Sequence, residues 1–206
     1  MSPLSNPRVA GALFCALAFA AAAPANAAIV TFTGIESNDT PTPHPDPSCA
    51  IGTVLVSFNP SNSTAAGTSN FGAFGPSMTH CLTKPSTTTP TSYSGGVFEF
   101  DFTGAGDEFS GTYSGVLTPI NGTNVFDSTV DYVVTGGTGR FLGASGTFEG
   151  VGTLDRTFKR PLNSLTLDGR LNLPAVPEPS SWALMLGGFF GMGATLRRLR
   201  AAALTA

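Results

Sequence analysis

The side chains best suited to chemistry are few, and most lie far apart in sequence. His44 and Asp46 sit in a proline-rich stretch just before Cys49, and His80 precedes Cys81. Imidazole and thiolate are zinc ligands, but structural zinc sites set their ligands in tight pairs such as CxxC. Here His80 and Cys81 are adjacent and the others are scattered among prolines, so no metal site is expected. A Ser-His-acid triad needs a histidine beside a nucleophile, and no GxSxG elbow occurs in the chain. Carboxylates are paired at Glu99/Asp101, Asp107/Glu108 and Asp127/Asp131. Two carboxyl groups about 5 to 9 Å apart are what glycoside hydrolysis requires. Glu99 and Asp101, however, alternate with Phe98, Phe100 and Phe102, which is the pattern of a solvated strand face. Asp107 and Glu108 in a glycine-flanked turn lack the spaced ligand series of a calcium loop. The segment Tyr132 to Gly146 places glycines at 136, 137 and 139 after a strand-like run. It has neither GxGxxG nor GK[ST], and no helix follows to bind a phosphate. No catalytic residue and no cofactor are therefore expected.

The elements that must carry these residues read as strands. From Ala28 onward the apolar period is two: Phe98, Phe100 and Phe102 share one face, as do Leu165, Leu167, Leu171 and Leu173. Similar runs cover Ile29 to Ile35, Ile51 to Phe58, Phe109 to Leu117, Val125 to Thr135 and Thr147 to Leu154. Asn121-Gly122, Gly136-Gly137 and Gly104-Ala105-Gly106 mark turns between them. Seven or eight such strands with hairpin connections imply an all-β, antiparallel up-and-down barrel, with a β-sandwich as the alternative. Asn59 to Gly96 is rich in Ser, Thr, Pro, Asn and Gly, and Lys84 to Thr91 reads as a solvated loop. Thr40 to Pro47, with every second residue proline, reads as stiff and extended.

Both ends are apolar. Met1 to Ala27 has Arg8, then an Ala-, Leu- and Phe-rich run from Val9 to Ala23, Pro24, and the small-x-small site Ala25-Asn26-Ala27. This is the pattern of an export signal helix cleaved so that the mature chain begins at Ala28. Cys15 falls in that run without a lipobox after it. Near the other end, Ser180 to Leu196 is 17 residues, about 25 Å as a helix at about 1.5 Å per residue, which just spans a bilayer. Arg197, Arg198 and Arg200 follow and act as a cytoplasmic stop. Three domains follow: residues 1–27 as signal, 28–175 as an extracytoplasmic β domain and 176–206 as a tail with one transmembrane helix. In the β domain twelve carboxylates face six Lys and Arg, a balance that argues against nucleic acid as a partner. Cys49 and Cys81 are the two cysteines of an exported domain and are expected to form a disulfide.

The tail, Val176-Pro177-Glu178-Pro179 followed by Ser-Ser-Trp-Ala-Leu-Met-Leu, a glycine-rich centre and the arginines, resembles the PEP-CTERM sorting signal of Gram-negative bacteria. The resemblance implies an exosortase as processing partner, a transient stay in the inner membrane, and association with exopolysaccharide and biofilm. Gly136 to Gly146, reading GGTGRFLGASG, is similar to a signature of dirigent and allene-oxide-cyclase-like barrels. That likeness implies a barrel and carries over no functional residue. The expected function is that of a non-enzymatic surface or extracellular-matrix protein. A small-ligand-binding barrel, or a barrel enzyme of isomerase or hydrolase type, is the alternative.

Overall fold

The computed structural model describes residues 27–104, 106–174, 187–193 and 197. Residues 1–26 of the signal segment, Ala25 among them, the motif Val176 to Pro179, Arg198 and Arg200 lie outside the described residues. The chain divides into two units, and one of them, Ala25–Val176, holds all the strands among the described residues. In the other unit, residues 187–193 are helical and exposed, and Arg197 is exposed. Among the described residues no helix is long and apolar enough to cross a membrane.

The β domain is a closed antiparallel barrel. Its strands are β1 (Ala28–Asp39), β2 (Val54–Phe58), β3 (Ala66–Ser69), β4 (Gly72–Leu82), β5 (Thr91–Phe102), β6 (Glu108–Pro119), β7 (Val125–Thr138), β8 (Ser145–Asp155) and β9 (Leu162–Leu173). The sheet runs β2-β4-β3-β1-β9-β8-β7-β6-β5, and β4 pairs with β5 to close the ring. This excludes the sandwich. Eight strand positions suffice for nine strands because β2 and β3 share one: β2 lies along Met78–Leu82 of β4, and β3 along Gly72–Phe74. Opposite the gap sits Pro76, which has no N–H to leave unpaired there. An eight-stranded barrel has an interior just wide enough to be filled by side chains.

The stretch from Asn59 to Gly96, to which no strand was assigned from its composition, contains β3, β4 and the first half of β5, while residues 84–90 form the irregular connection expected there. Its inward residues Phe74, Pro76, Met78, His80 and Leu82 do recur at period two. The Gly, Ser and Thr between them face outward, where a polar residue is no obstacle to a strand. The second strand also begins later than the apolar run suggests, at Val54 instead of Ile51, and Ile51 is exposed.

The interior is graded along the barrel axis. At one end Phe32, Phe100, Phe102, Phe109, Phe141 and Phe148 pack at ring-centroid separations of 4.8 to 6.5 Å, most of them tilted or edge-to-face. The glycine-rich segment after β7 closes this end. Its short 3-10 turn, Gly139–Phe141, turns Phe141 into the core. Arg140 stacks over Phe102 and Phe141, pairs with Asp107 at 3.2 Å and donates to the Phe71 carbonyl at 2.8 Å. Gly139 adopts φ +56°, and a Cβ there would collide with the Asp107 carboxylate. Asp107 is thereby engaged by the arginine.

Cys49 and Cys81 form a disulfide. Cys81 lies on β4 opposite Leu55, and Leu55 makes an isolated bridge with His44. The proline-rich segment after β1 is thus fastened to β2 and β4 at the barrel's other end.

Candidate functional site

At the end opposite the phenylalanine cluster the barrel is open, and a cavity of about 220 Å³ descends into it. Its walls come from the inward rows of β1, β2, β4, β6, β7, β8 and β9 and from Tyr93 of β5. Val54, Val56, Phe58, Leu82, Leu117 and Leu154 make it largely apolar. Pro43, Pro85 and Pro161, from three separate loops, narrow the entrance. The polar side chains are set among these walls. Asn163 donates to Asn38 at 3.2 Å and Asn38 to Thr40 at 3.4 Å, so neighbouring strands β9 and β1 are joined across the wall.

Tyr93 reaches the cavity because β5 is irregular. Phe98, Phe100 and Phe102 fix even-numbered residues inward, so Tyr93 would point outward on a regular strand. The ladder to β6 shifts between Tyr93 and Gly96, and Gly95 takes φ +71°. This bulge reverses the phase and turns Tyr93 inside. There it stacks on His80 at 4.3 Å and meets Tyr113 edge-on at 6.0 Å. Gly96 leaves room for the Tyr113 ring, where a Cβ would clash.

Beneath the cavity the barrel holds a buried polar group that alternation alone did not single out. Glu36 is 1 % exposed on the inward row of β1, whereas its neighbour Ile35 is 59 % exposed. Tyr132 donates to Glu36 Oε2 at 3.4 Å, and Glu36 Oε1 has no hydrogen-bond partner. Burial raises the Glu36 carboxyl from 4.5 to about 7, since a carboxylate here exchanges water for one weak donor. His80 Nδ1 and the Tyr113 hydroxyl are hydrogen-bonded at 2.6 Å. Burial lowers the imidazole from 6.5 to about 4, so the ring is neutral at physiological pH. Desolvation, helped by the nearby Glu36 charge, pushes the Tyr93, Tyr113 and Tyr132 phenols upward, and all three stay protonated. Glu36 itself does not line the cavity; His80 and Tyr93 do.

The residues weighed in the sequence for chemistry are dispersed. Glu99 and Asp101 are exposed, as are Asp127 and Asp131. His44 lies in the loop after β1 and His80 inside the barrel. Among the described residues no three His, Cys, Asp or Glu side chains come together as a metal site would require. Tyr93 and Glu36 were given no role from the sequence, and His80 was considered there only as a zinc ligand or triad histidine. Their signals were the period-two row ending His80-x-Leu82 and the Gly95-Gly96 pair after Tyr93. Comparisons with protein-family models, curated proteins and solved structures found no match to this chain. Fold and site together define an all-β barrel with one end plugged by aromatic rings and the other open.

Proposed function

We propose that this chain is an exported, non-enzymatic barrel that binds a small apolar molecule in its open end and is carried to the cell surface or matrix by its tail. The cavity at the barrel mouth carries the ligand reading. It is apolar with a few convergent polar groups, as small-molecule sites are. Its volume of about 220 Å³ falls below the roughly 300–1,000 Å³ of sites for drug-sized ligands, which points to a compact guest. Export is supported by the disulfide, a bond that persists in oxidising compartments. Sorting by an exosortase, passage through the inner membrane and contact with exopolysaccharide rest on the tail resemblance.

Benzyl alcohol is a suitable first probe. Titrated into the β domain, it should shift the NMR signals of Tyr93 and His80 selectively. Leu154→Trp, which places an indole in the cavity wall, should abolish those shifts. A probe that leaves both residues unmoved, or binds Leu154→Trp equally well, would sink the ligand reading. The sorting reading has its own measurement, the intact mass of the protein recovered from its host. A chain beginning at Ala28 and ending near Pro177 to Pro179 is expected, and a full-length cytosolic chain with free thiols would refute it.

Glu36 with Tyr132, and His80 with Tyr113, favour a barrel enzyme as the second reading, because acid–base groups with shifted titration are what proton transfer requires. It ranks behind because Glu36 is cut off from the cavity and only the neutral imidazole of His80 meets a guest.

A further inference from the structure

Resting on the ligand-binding reading, we infer that the guest is an anion, a compact apolar body carrying one carboxylate that lies at the barrel rim. The observation is the charge of the entrance. The domain carries twice as many acids as bases, yet no carboxylate is among the residues lining the cavity. Lys84 and Arg156 line it instead. Both also line a second, polar recess beside the mouth, together with Ser86, Thr87 and Asn124. The apolar cavity and this recess share Lys84, Pro85 and Arg156, so a guest seated on the apolar wall ends where the cations begin.

Arg160 shows what compensation looks like in this fold. It is ion-paired with Asp39, and the same carboxylate accepts the Thr64 N–H. At the closed end Arg140 is likewise paired with Asp107. Among the described residues Lys84 and Arg156 form no such ion pair; Lys159 and Arg170 form none either, and what sets Lys84 and Arg156 apart is their place on the cavity wall. Two cations at the lip of an apolar hole whose lining holds no carboxylate complement an amphipathic anion. The size of the cavity sets the apolar body near one ring, and the stacked His80 and Tyr93 rings offer that ring a flat wall. Arg156 supplies the planar donor fork that suits a carboxylate.

The test compares benzoate with benzyl alcohol, which has nearly the same body and no charge, by titration calorimetry at low salt. Benzoate should bind at least about tenfold more tightly, and the ratio should narrow as salt is raised to about 0.5 M. In Lys84→Ala/Arg156→Ala the ratio should fall to about one, with the neutral probe reporting that the cavity persists. Equal affinity of the two probes in the wild type, or a ratio unchanged in the double variant, overturns the anion assignment while leaving the cavity reading intact. Glucuronate binding as well as benzoate would also overturn it, since the rim alone would then be the site. Failure of both probes to bind sinks the ligand-binding reading itself, and the two failures are thereby distinguishable.

Discussion

Replacing Cys49 and Cys81 together by serine should lower the stability of the β domain by about 3–4 kcal/mol. The bond joins residues 32 apart. The chain-entropy relation for a closed loop of that length gives the quoted size, and removal of native disulfides from small secreted domains costs about as much. The enclosed segment explains why the full effect is expected. It contains β2 and β3, the two shortest strands, and the excursion between them, held by local turns such as Ser61 and Asn62 donating to Asn59. Without the bond, the proline-rich stretch keeps the His44 to Leu55 bridge and the Asp46 turn with Ser48 and Cys49 as its local ties. Urea unfolding of the double variant beside the oxidised wild type measures the difference. A loss below about 1 kcal/mol would mean that the barrel holds this segment unaided. The same variant should bind the cavity probe more weakly, because Pro43 of the freed stretch forms part of the entrance.

What could be read from the sequence depended on whether a strand's outward face was plainly polar. In β5, Glu99 and Asp101 between buried phenylalanines made phase and burial unambiguous, and β9 was as clear. In β1 the hydropathy is mixed: Val30 and Phe32 mark the even-numbered row as inward, yet Ile29 and Ile35 are exposed while Glu36 and Asn38 face the interior. Alternation locates a strand there but leaves its faces ambiguous, and the buried acid is not distinguished from a solvent-facing one. The β3–β4 region was hidden for another reason. Proline within a run argues against a central strand, and only the register shows that Pro76 faces the gap between β2 and β3. The cavity wall depends on the Gly95 bulge, a long-range consequence of pairing that a local pattern does not encode. By contrast, the disulfide followed from counting cysteines, and the barrel from the number of strands and the shortness of their turns.

Glu36 and His80 should conceal each other's pH dependence, and single substitutions should expose it. The Glu36 carboxyl is raised from 4.5 to about 7. Between those pH values the folded protein keeps a proton that the unfolded chain has released, so this group's contribution to stability falls as pH rises through the window. His80 is lowered from 6.5 to about 4. There the unfolded chain takes up a proton that the folded protein refuses, so its contribution falls as pH drops through that window. Each difference corresponds to about 3 kcal/mol at full extent. From about pH 4.5 to 6.5 the two slopes oppose, and the folded and unfolded states hold equal numbers of protons on this pair. The groups facing Glu36 are Tyr93, Tyr113 and Tyr132, which remain neutral and add no slope of their own. Glu36→Gln should therefore be more stable than the wild type at pH 8, by up to about 3 kcal/mol, and should lose that advantage on acidification below about pH 6.5. The amide keeps an acceptor for the Tyr132 hydroxyl and removes the charge that burial penalises. His80→Gln should show the opposite trend, its stability relative to the wild type declining as pH rises from about 4.5 to 7. Urea midpoints of the three proteins across pH 4.5 to 8 decide the matter, since titrations of surface carboxylates cancel in the differences. If Glu36→Gln is less stable than the wild type at pH 8, the carboxylate is solvated or paired in solution, and the closed polar floor beneath the cavity is not present as described.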